Sequence, residues 1–286
     1  MKFIKYFTQF IIIIFLFLIY KILGFKLSSH VSCQIISFFG PFFRSKKIIE
    51  LNILKAFPDF KKKQIKTISK KMWGNYGRIL SEYVFIKKFR NLSLEKNIEI
   101  IGQKNLEEIK KTNLPVIFVS GHFNNFELMA MHIEKSGINL ATIYRPLNNK
   151  FLNYVMEYIR KKYICRNQVK KGISGTKKLL SYFKDGTSIA LMIDQRVSQG
   201  IKSNFFNHDA LTTTIPAQFV KKFNCLVVPI YIERIKNFNF KLTIHNPLKY
   251  SNNETIESIT LDLNHQLEKM ILKNPDQWIW SHNRWK

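Results

Sequence analysis

VIFVSGHFNNFELMAM, residues 116 to 131, contains two apolar segments separated by a short polar turn. VIFVS has the length and composition of a buried β-strand, and the second segment is typical of a helix. Gly121 and His122 stand between them. Ligands and catalytic groups in α/β folds collect where strands end and helices begin. The stretch therefore predicts an α/β domain with His122 at the functional edge of its sheet.

The same alternation of strand-like and helix-like segments continues along most of the chain. The strand-like segments are 97–102, 116–120, 139–145, 188–194, 225–234 and 240–246. The helix-like segments are 123–136, 149–162, 174–185, 215–223 and 254–273, and helix stops are expected at Gly137 and Gly186. This order predicts a mixed central sheet covered by helices.

Length and composition limit the class of protein. A chain of 286 residues, 46% of them hydrophobic, can bury the core of one catalytic domain. Its three cysteines, Cys33, Cys165 and Cys225, are far apart and form no CxxC pair. This pattern predicts neither a disulfide framework nor a zinc site, and it favours a reducing compartment.

The formal net charge of +27 permits two kinds of anionic partner. A basic surface binds nucleic acid by releasing counterions from the phosphate backbone. However, only nine of the 46 basic residues are arginine, and no nucleic-acid-binding motif is found in the sequence. Lysines near an anionic leaflet each contribute roughly 1 kcal/mol of attraction, so a membrane fits the charge equally well.

The N-terminal residues favour the membrane. Residues 7–25 are apolar except for Thr8, Gln9 and Lys21. As a helix this segment spans about 28 Å, close to the thickness of a hydrocarbon core. A cleaved signal peptide is the alternative, although the sequence that follows offers only a poor cleavage site. We expect an uncleaved transmembrane helix.

Basic residues are more frequent after this apolar segment than before it. Lys2 and Lys5 precede it, whereas Lys26, Arg44, Lys46, Lys47, Lys55 and residues 61–63 follow it. The positive-inside bias places the bulk of the chain on the cytoplasmic side of a single-pass anchor. We expect residues 1–27 to form the anchor and residues 28–286 one catalytic domain. Helical spacing predicts a membrane-proximal helical part at 28–90, followed by an α/β catalytic core at 91–286.

His122 and Glu127 form the candidate catalytic pair. Inside one regular helix, their five-residue separation would turn them about 140° apart. The helix is therefore expected to begin between them, so that Glu127 folds back onto one imidazole nitrogen. A carboxylate there fixes the tautomer and stabilises the cation while the other nitrogen takes a proton. In the alternative, Asn124 or Asn125 caps the helix and His122 is only a turn residue.

Other polar residues follow strands at the same edge. Arg145 suits the bidentate binding of a phosphate or carbohydrate oxygen; the alternative is a surface arginine before a proline turn. Asp194 and Gln195 close another strand, where they either hydrogen-bond a sugar or fix the following loop. Asn124 and Asn125 are candidates for supplying polarity to a substrate site.

The motif GHFNNFE, residues 121–127, resembles the His-x4-Asp/Glu box of the late acyltransferases of lipid A biosynthesis, the lauroyl and myristoyl transferase family. Other motifs follow in the order of that family. They are Asn52 with AFP at 56–58, WGNYGRILSE at 73–82, YRPLNN at 144–149, MIDQ at 192–195, Phe205 with Phe206, VVP at 227–229, and PDQWIWSHNRWK at 275–286. The resemblance covers nearly the whole chain, including its apolar N-terminal segment.

The resemblance implies a glycerolipid-acyltransferase-like fold and an O-acyl transfer at the cell inner membrane. The donor would be acyl-acyl carrier protein, and the acceptor a hydroxyl of a 3-hydroxyacyl chain on a lipid A precursor, a glycolipid. His122 would be the general base and Glu127 the acid that orients it, with no metal, bound cofactor or nucleic acid involved. A lysophospholipid or a different glycolipid is the alternative acceptor.

Two features of the C-terminal half leave alternatives open. After Phe206 the chain has NHDALTTTIP where the family commonly has a glycine and small residues, so the contour of the acyl-chain pocket is not predicted. Trp278 and Trp280 either lie at a membrane interface or pack in the core.

Overall fold

The computed structural model of the protein describes residues 2–91 and 93–286, which form helices around a seven-stranded sheet and a separate β-hairpin. The first helix, α1 (Lys2–Phe39), contains the apolar segment and continues past the expected boundary at residue 27. It bends at Gly24, whose φ of 73° is accessible because glycine has no Cβ. The segment Lys2–Phe42 is long and apolar enough to cross a membrane, and an 18-residue window within it has a mean hydropathy of 2.4.

Three helices follow α1, as helical spacing predicts for this part of the chain. They are α2 (Lys46–Ala56), α3 (Lys62–Glu82) and α4 (Ile86–Asn91). The hydroxyl of Tyr20 donates to Ser32 Oγ across the bend in α1 at 2.8 Å. Ser32 Oγ in turn donates to the carbonyl of Gly77 in α3 at 2.6 Å. These buried hydrogen bonds hold the two halves of α1 and the middle of α3 together.

Strands and helices alternate in the remainder of the chain. The strands are β1 (Ile98–Ile101), β2 (Ile117–Ser120), β3 (Leu140–Tyr144), β4 (Asn167–Lys170), β5 (Ser188–Met192), β6 (Ile201–Phe205), β7 (His208–Thr212), β8 (Val227–Lys236) and β9 (Asn239–Ile244). The helices are α5 (Gln103–Thr112), α6 (Glu127–Lys135), α7 (Lys150–Tyr163), α8 (Ile173–Lys184), α9 (Ile215–Phe223) and α10 (Ile256–Lys273).

The central sheet has the order β1-β9-β8-β2-β5-β3-β4. The pair β8–β9 is antiparallel and the other pairs are parallel, so the predicted mixed sheet is confirmed. Every residue of β2 is buried, as expected of a central strand covered on both faces. Ser120 of β2 lies opposite Met192 of β5, and the two strands end side by side. Residues that follow β2 and β5 therefore meet at one edge.

Several elements have no counterpart in the sequence prediction. They are α5, β4 and the hairpin formed by β6 and β7. The hairpin packs on α10, where Asn264 Nδ2 donates to the carbonyl of Asn204 at 2.8 Å. The segment after Phe206, which departs from the family pattern, thus forms the turn and second strand of this hairpin.

The C-terminal segment packs in the core. Trp278 and Trp280 are 1% and 0% exposed, and their rings meet edge to face with centroids 4.6 Å apart. Of the two alternatives for these tryptophans, core packing is therefore correct. Their burial places Trp278 beside the end of β5, where the candidate site lies.

Candidate active site

The loop from Gly121 to Phe126 joins the end of β2 to the start of α6 and carries His122. Helix α6 begins at Glu127, so the prediction that a helix starts between His122 and Glu127 is confirmed. The side chain of neither asparagine in the loop caps the helix. Asn124 has a φ of 40° in the left-handed region, which asparagine tolerates better than most residues. The backbone therefore turns at Asn124 before the helix begins.

Asp194, which follows β5, holds His122 through both of its carboxylate oxygens. Oδ1 lies 2.8 Å from His122 Nδ1, and Oδ2 accepts the backbone N–H of His122 at 2.7 Å. Trp278 Nε1 donates to Oδ2 at 2.8 Å, and Asp194 is fully buried. The expected contact between Glu127 and the imidazole is therefore wrong: Asp194 occupies that position because β2 and β5 are neighbours in register.

The charges of this pair favour an ionised Asp194 beside a basic imidazole. Burial raises the pKa of Asp194, but the His122 charge and the hydrogen bonds from His122 and Trp278 outweigh it and bring the pKa down to about 2. Burial acts to lower the pKa of His122, but Asp194 outweighs this effect and raises the pKa above its ordinary value. Because Asp194 binds Nδ1, the proton of the neutral ring is expected on Nδ1, which leaves Nε2 as the basic nitrogen.

Glu127 faces a different set of partners. Its Oε1 accepts the guanidinium of Arg160 in α7, with Nε at 2.8 Å and Nη2 also in contact, and it accepts the hydroxyl of Tyr83. Glu127 is 5% exposed, so this ion pair is largely desolvated. Its charge still contributes to the raised pKa of His122, behind the contribution of Asp194. Glu127 therefore acts on His122 through space and positions Arg160 by direct contact.

Asn124 and Asn125 belong to a buried polar network rather than to an open site. Asn125 Nδ2 donates to Glu82 Oε2 at 2.9 Å, and Arg234 Nη2 donates to Asn124 Oδ1 at 2.8 Å. Arg234 also lies 2.8 Å from Glu82 Oε1, and both side chains are nearly inaccessible. The two asparagines are 2% and 1% exposed. In the structure they tie the His122 loop to α3 and β8, and their binding of substrate stays a prediction.

A cleft of about 1270 Å³ opens at this edge of the sheet, and His122, Glu127 and Arg160 lie in its wall. Apolar side chains form much of the cleft: Phe118, Met129, Ala130, Ile133, Ile143, Met156, Ile164, Ala190 and Ile230. Arginine and lysine side chains also line it: Arg44, Arg145, Arg160, Lys171, Arg196 and Lys286. Among the described residues that line the cleft, Glu127 has the sole side-chain carboxylate. The cleft therefore combines an apolar wall with a basic one.

The structure brings together most, but not all, of the predicted site residues. Arg145 and Gln195 line the cleft with His122 and Glu127, while Asp194 lies behind His122. The sequence does not predict Arg160 and Tyr83 as site residues, because their contacts with Glu127 join segments far apart in sequence and neither residue lies in a recognisable catalytic motif. For Asp194, the available signal was its position at the end of a strand.

The comparisons with known proteins agree with these motifs. Residues 1–286 match the family described as bacterial lipid A biosynthesis acyltransferase. The lipid A biosynthesis palmitoleoyltransferase of Escherichia coli (strain K12) and the lipid A biosynthesis acyltransferase of Shigella flexneri are each 21% identical over 248 residues, 85% of this chain and 79% of theirs.

A solved structure, the 1-acyl-sn-glycerophosphate (LPA) acyltransferase PlsC from Thermotoga maritima, gives a TM-score of 0.44 at 13% identity, covering 89% of this chain and 98% of that one. The match to the family is a match of sequence, and it spans the entire chain. The chain therefore belongs to the bacterial lipid A biosynthesis acyltransferase family.

Proposed function

We propose that the protein transfers a fatty acyl chain from acyl-acyl carrier protein to the hydroxyl of a 3-hydroxyacyl chain on a lipid A precursor. The observation that carries this proposal is the His122–Asp194 pair in the wall of an apolar and basic cleft. An imidazole whose Nδ1 is held by a buried carboxylate is suited to remove a proton through Nε2. Membership of the family supplies the class of reaction.

In the proposed step, His122 Nε2 takes the proton of the acceptor hydroxyl as its oxygen attacks the thioester carbonyl. The new C–O bond forms the ester, the C–S bond breaks, and the carrier thiolate leaves and receives the proton from the imidazolium. Asp194 stabilises the imidazolium between these events. Ser120, the nearest hydroxyl in the chain before His122, donates to the carbonyl of Ile230 at 2.6 Å and is 5% exposed, so it is not disposed to act as an acyl-accepting nucleophile.

The two kinds of cleft wall would take different parts of the substrates. The apolar side chains suit fatty acyl chains, since each buried methylene contributes roughly 0.8 kcal/mol. Arg145, Lys171 and Arg196 suit phosphate or carbohydrate oxygens of the acceptor, because cations bind oxyanions through charge-assisted hydrogen bonds. Gln195 lies among them and can hydrogen-bond a sugar.

Helix α1 would hold this cleft at the cytoplasmic face of the inner membrane. The acidic surface expected of an acyl carrier protein would be attracted by the net charge of +27.

Mass spectrometry of the reaction products tests the proposal. Detergent-solubilised full-length protein is given acyl-acyl carrier protein and either a tetra-acylated lipid A precursor or a lysophospholipid. We expect one added acyl group on the disaccharide, lost in His122→Ala and retained in His208→Ala, a change at an exposed histidine of β7. Acylation of the lysophospholipid alone would overturn the acceptor, and full activity of His122→Ala would overturn the mechanism.

A further inference from the structure

Four phenylalanines at the end of α1 are exposed to solvent. Phe38, Phe39, Phe42 and Phe43, here called the phenylalanine turn, are 68%, 51%, 75% and 76% exposed. The rings of Phe38 and Phe39 lie 4.9 Å apart, and those of Phe38 and Phe42 lie 6.4 Å apart. The side chains thus form a patch instead of being scattered singly, and an exposed aromatic patch of this kind indicates a surface that binds something apolar.

The phenylalanine turn is held firmly against α3. Gly40 lies on the ring of Trp73 so closely that a Cβ there would come within 2.5 Å of the ring. The backbone N–H of Phe43 donates to the carbonyl of Gly40 at 3.0 Å, which closes a 3₁₀ turn. Because the backbone is fixed on its inner side, the four phenyl rings are presented outward.

Basic side chains flank the aromatic rings. Arg44, Lys46 and Lys47 follow the turn directly, and all three are exposed. Within residues 2–91 and 93–286 none of them lies within ion-pair distance of a carboxylate, and the Lys46 ammonium lies 6.0 Å from the centre of the Phe42 ring. Aromatic rings with adjacent free cations match the interface of an anionic bilayer, where rings enter the headgroup region and cations meet lipid phosphates.

The phenylalanine turn also adjoins the cleft. Phe43, Arg44, Ser45 and Ile48 line its wall, at the edge of the sheet where His122 lies. We propose that the phenylalanine turn with Arg44, Lys46 and Lys47 is a second membrane-docking surface, which inserts into the interface of an anionic phospholipid bilayer and sets the cleft against it. This surface is separate from the apolar N-terminal half of α1, and it would let a lipid enter the cleft without crossing bulk water.

The test places a fluorine probe at Phe43 of the full-length protein in vesicles of phosphatidylethanolamine and phosphatidylglycerol. Trifluoromethyl-phenylalanine replaces Phe43 or, as the matched control, Leu114, which is 67% exposed and precedes β2 at the opposite edge of the sheet. Fluorine relaxation by a water-soluble gadolinium chelate then reports the exposure of each probe to water. We expect the Phe43 probe to be roughly tenfold less accessible to the chelate than the Leu114 probe.

Charge removal tests the basic half of the surface. The double variant Lys46→Gln with Lys47→Gln should lower the equilibrium constant for insertion of the Phe43 probe into the bilayer by roughly fivefold per lost charge. The control variant Lys104→Gln with Lys111→Gln, on α5, should leave this equilibrium unchanged. Equal accessibility of the Phe43 and Leu114 probes would overturn the proposal. Protection of the Phe43 probe from the chelate in vesicles without anionic lipid would also overturn it. Protection that increases with the protein-to-lipid ratio would overturn it too, because it would indicate contact between two copies of the protein. The measurement involves no acyl transfer, so its outcome is independent of the proposed reaction.

Discussion

Replacing Asp194 by asparagine tests whether the acid beside His122 is part of the catalytic machinery. The change keeps the size of the side chain and an acceptor for Nδ1, but it removes a charge 2.8 Å from the ring. At this separation an ion pair is worth about 6 kcal/mol at an effective dielectric constant of about 20. In the transition state the proton is only partly transferred to His122, and the asparagine amide dipole still interacts with the ring. We therefore take the loss of stabilisation as about half of the ion-pair energy, which raises the activation barrier by about 3 kcal/mol. That corresponds to a loss of roughly 10²-fold in kcat.

The same variant should change the pH dependence of the reaction. Asp194 raises the pKa of His122 in the wild type, and the base is lost as the pH falls through that pKa. Without the carboxylate the pKa falls, so the acidic limb of the kcat/KM profile should move to lower pH. Asp262→Asn is the matched control, because it removes a carboxylate that accepts the hydroxyl of Tyr250 at 2.6 Å, away from the cleft.

Initial rates of acyl transfer, measured across pH for both variants, supply the assay, with thermal unfolding to verify that each variant is folded. Wild-type kcat with an unmoved acidic limb in folded Asp194→Asn would refute the reasoning. A loss of kcat without movement of the limb would show that Asp194 serves only to hold the loop. The control should keep kcat within about twofold and leave the limb in place.

Three other substitutions test separate contacts. Glu127→Gln should move the acidic limb in the same direction as Asp194→Asn but less far, because Glu127 acts on His122 through space; a larger movement in kcat/KM profiles would restore it as the orienting acid. Arg145→Ala should raise the KM for the acceptor by roughly tenfold and leave the KM for the donor, and steady-state kinetics showing an effect on the donor alone would contradict its placement. Glu82→Gln breaks the buried contact with Arg234, which should cost about 3–5 kcal/mol and lower the calorimetric unfolding midpoint by roughly 5–8 °C; an unchanged midpoint would contradict the importance of this pair.

The sequence predicted the elements whose hydrophobic pattern is strong. The strand ending at Ser120 and the helix beginning at Glu127 were both predicted, because apolar runs and the turn between them are local signals. Strand β4 was missed since only Val169 of its four residues is buried. The hairpin was missed because its residues gain their burial by packing on α10, which no local pattern reveals.

The site was predicted in its parts but not in its pairing. His122 and Glu127 were singled out by a short motif, and a short motif favours a partner within it. The contact with Asp194 instead joins residues 72 positions apart, and it exists because β2 and β5 are adjacent in the sheet. Strand order is a property of the folded chain, so the neighbour of a catalytic residue across a sheet cannot be read from the motif that contains it.

The bend at Gly24 has a consequence for how this enzyme would meet lipids. Tyr20 and Gly77 both bind Ser32, so the angle between the two halves of α1 is fixed by buried hydrogen bonds. With the apolar half in a bilayer, the catalytic unit could not tumble about a flexible tether. Its encounter with a lipid acceptor would become a two-dimensional search at one orientation, and turnover would follow the mole fraction of acceptor in the leaflet instead of its bulk concentration.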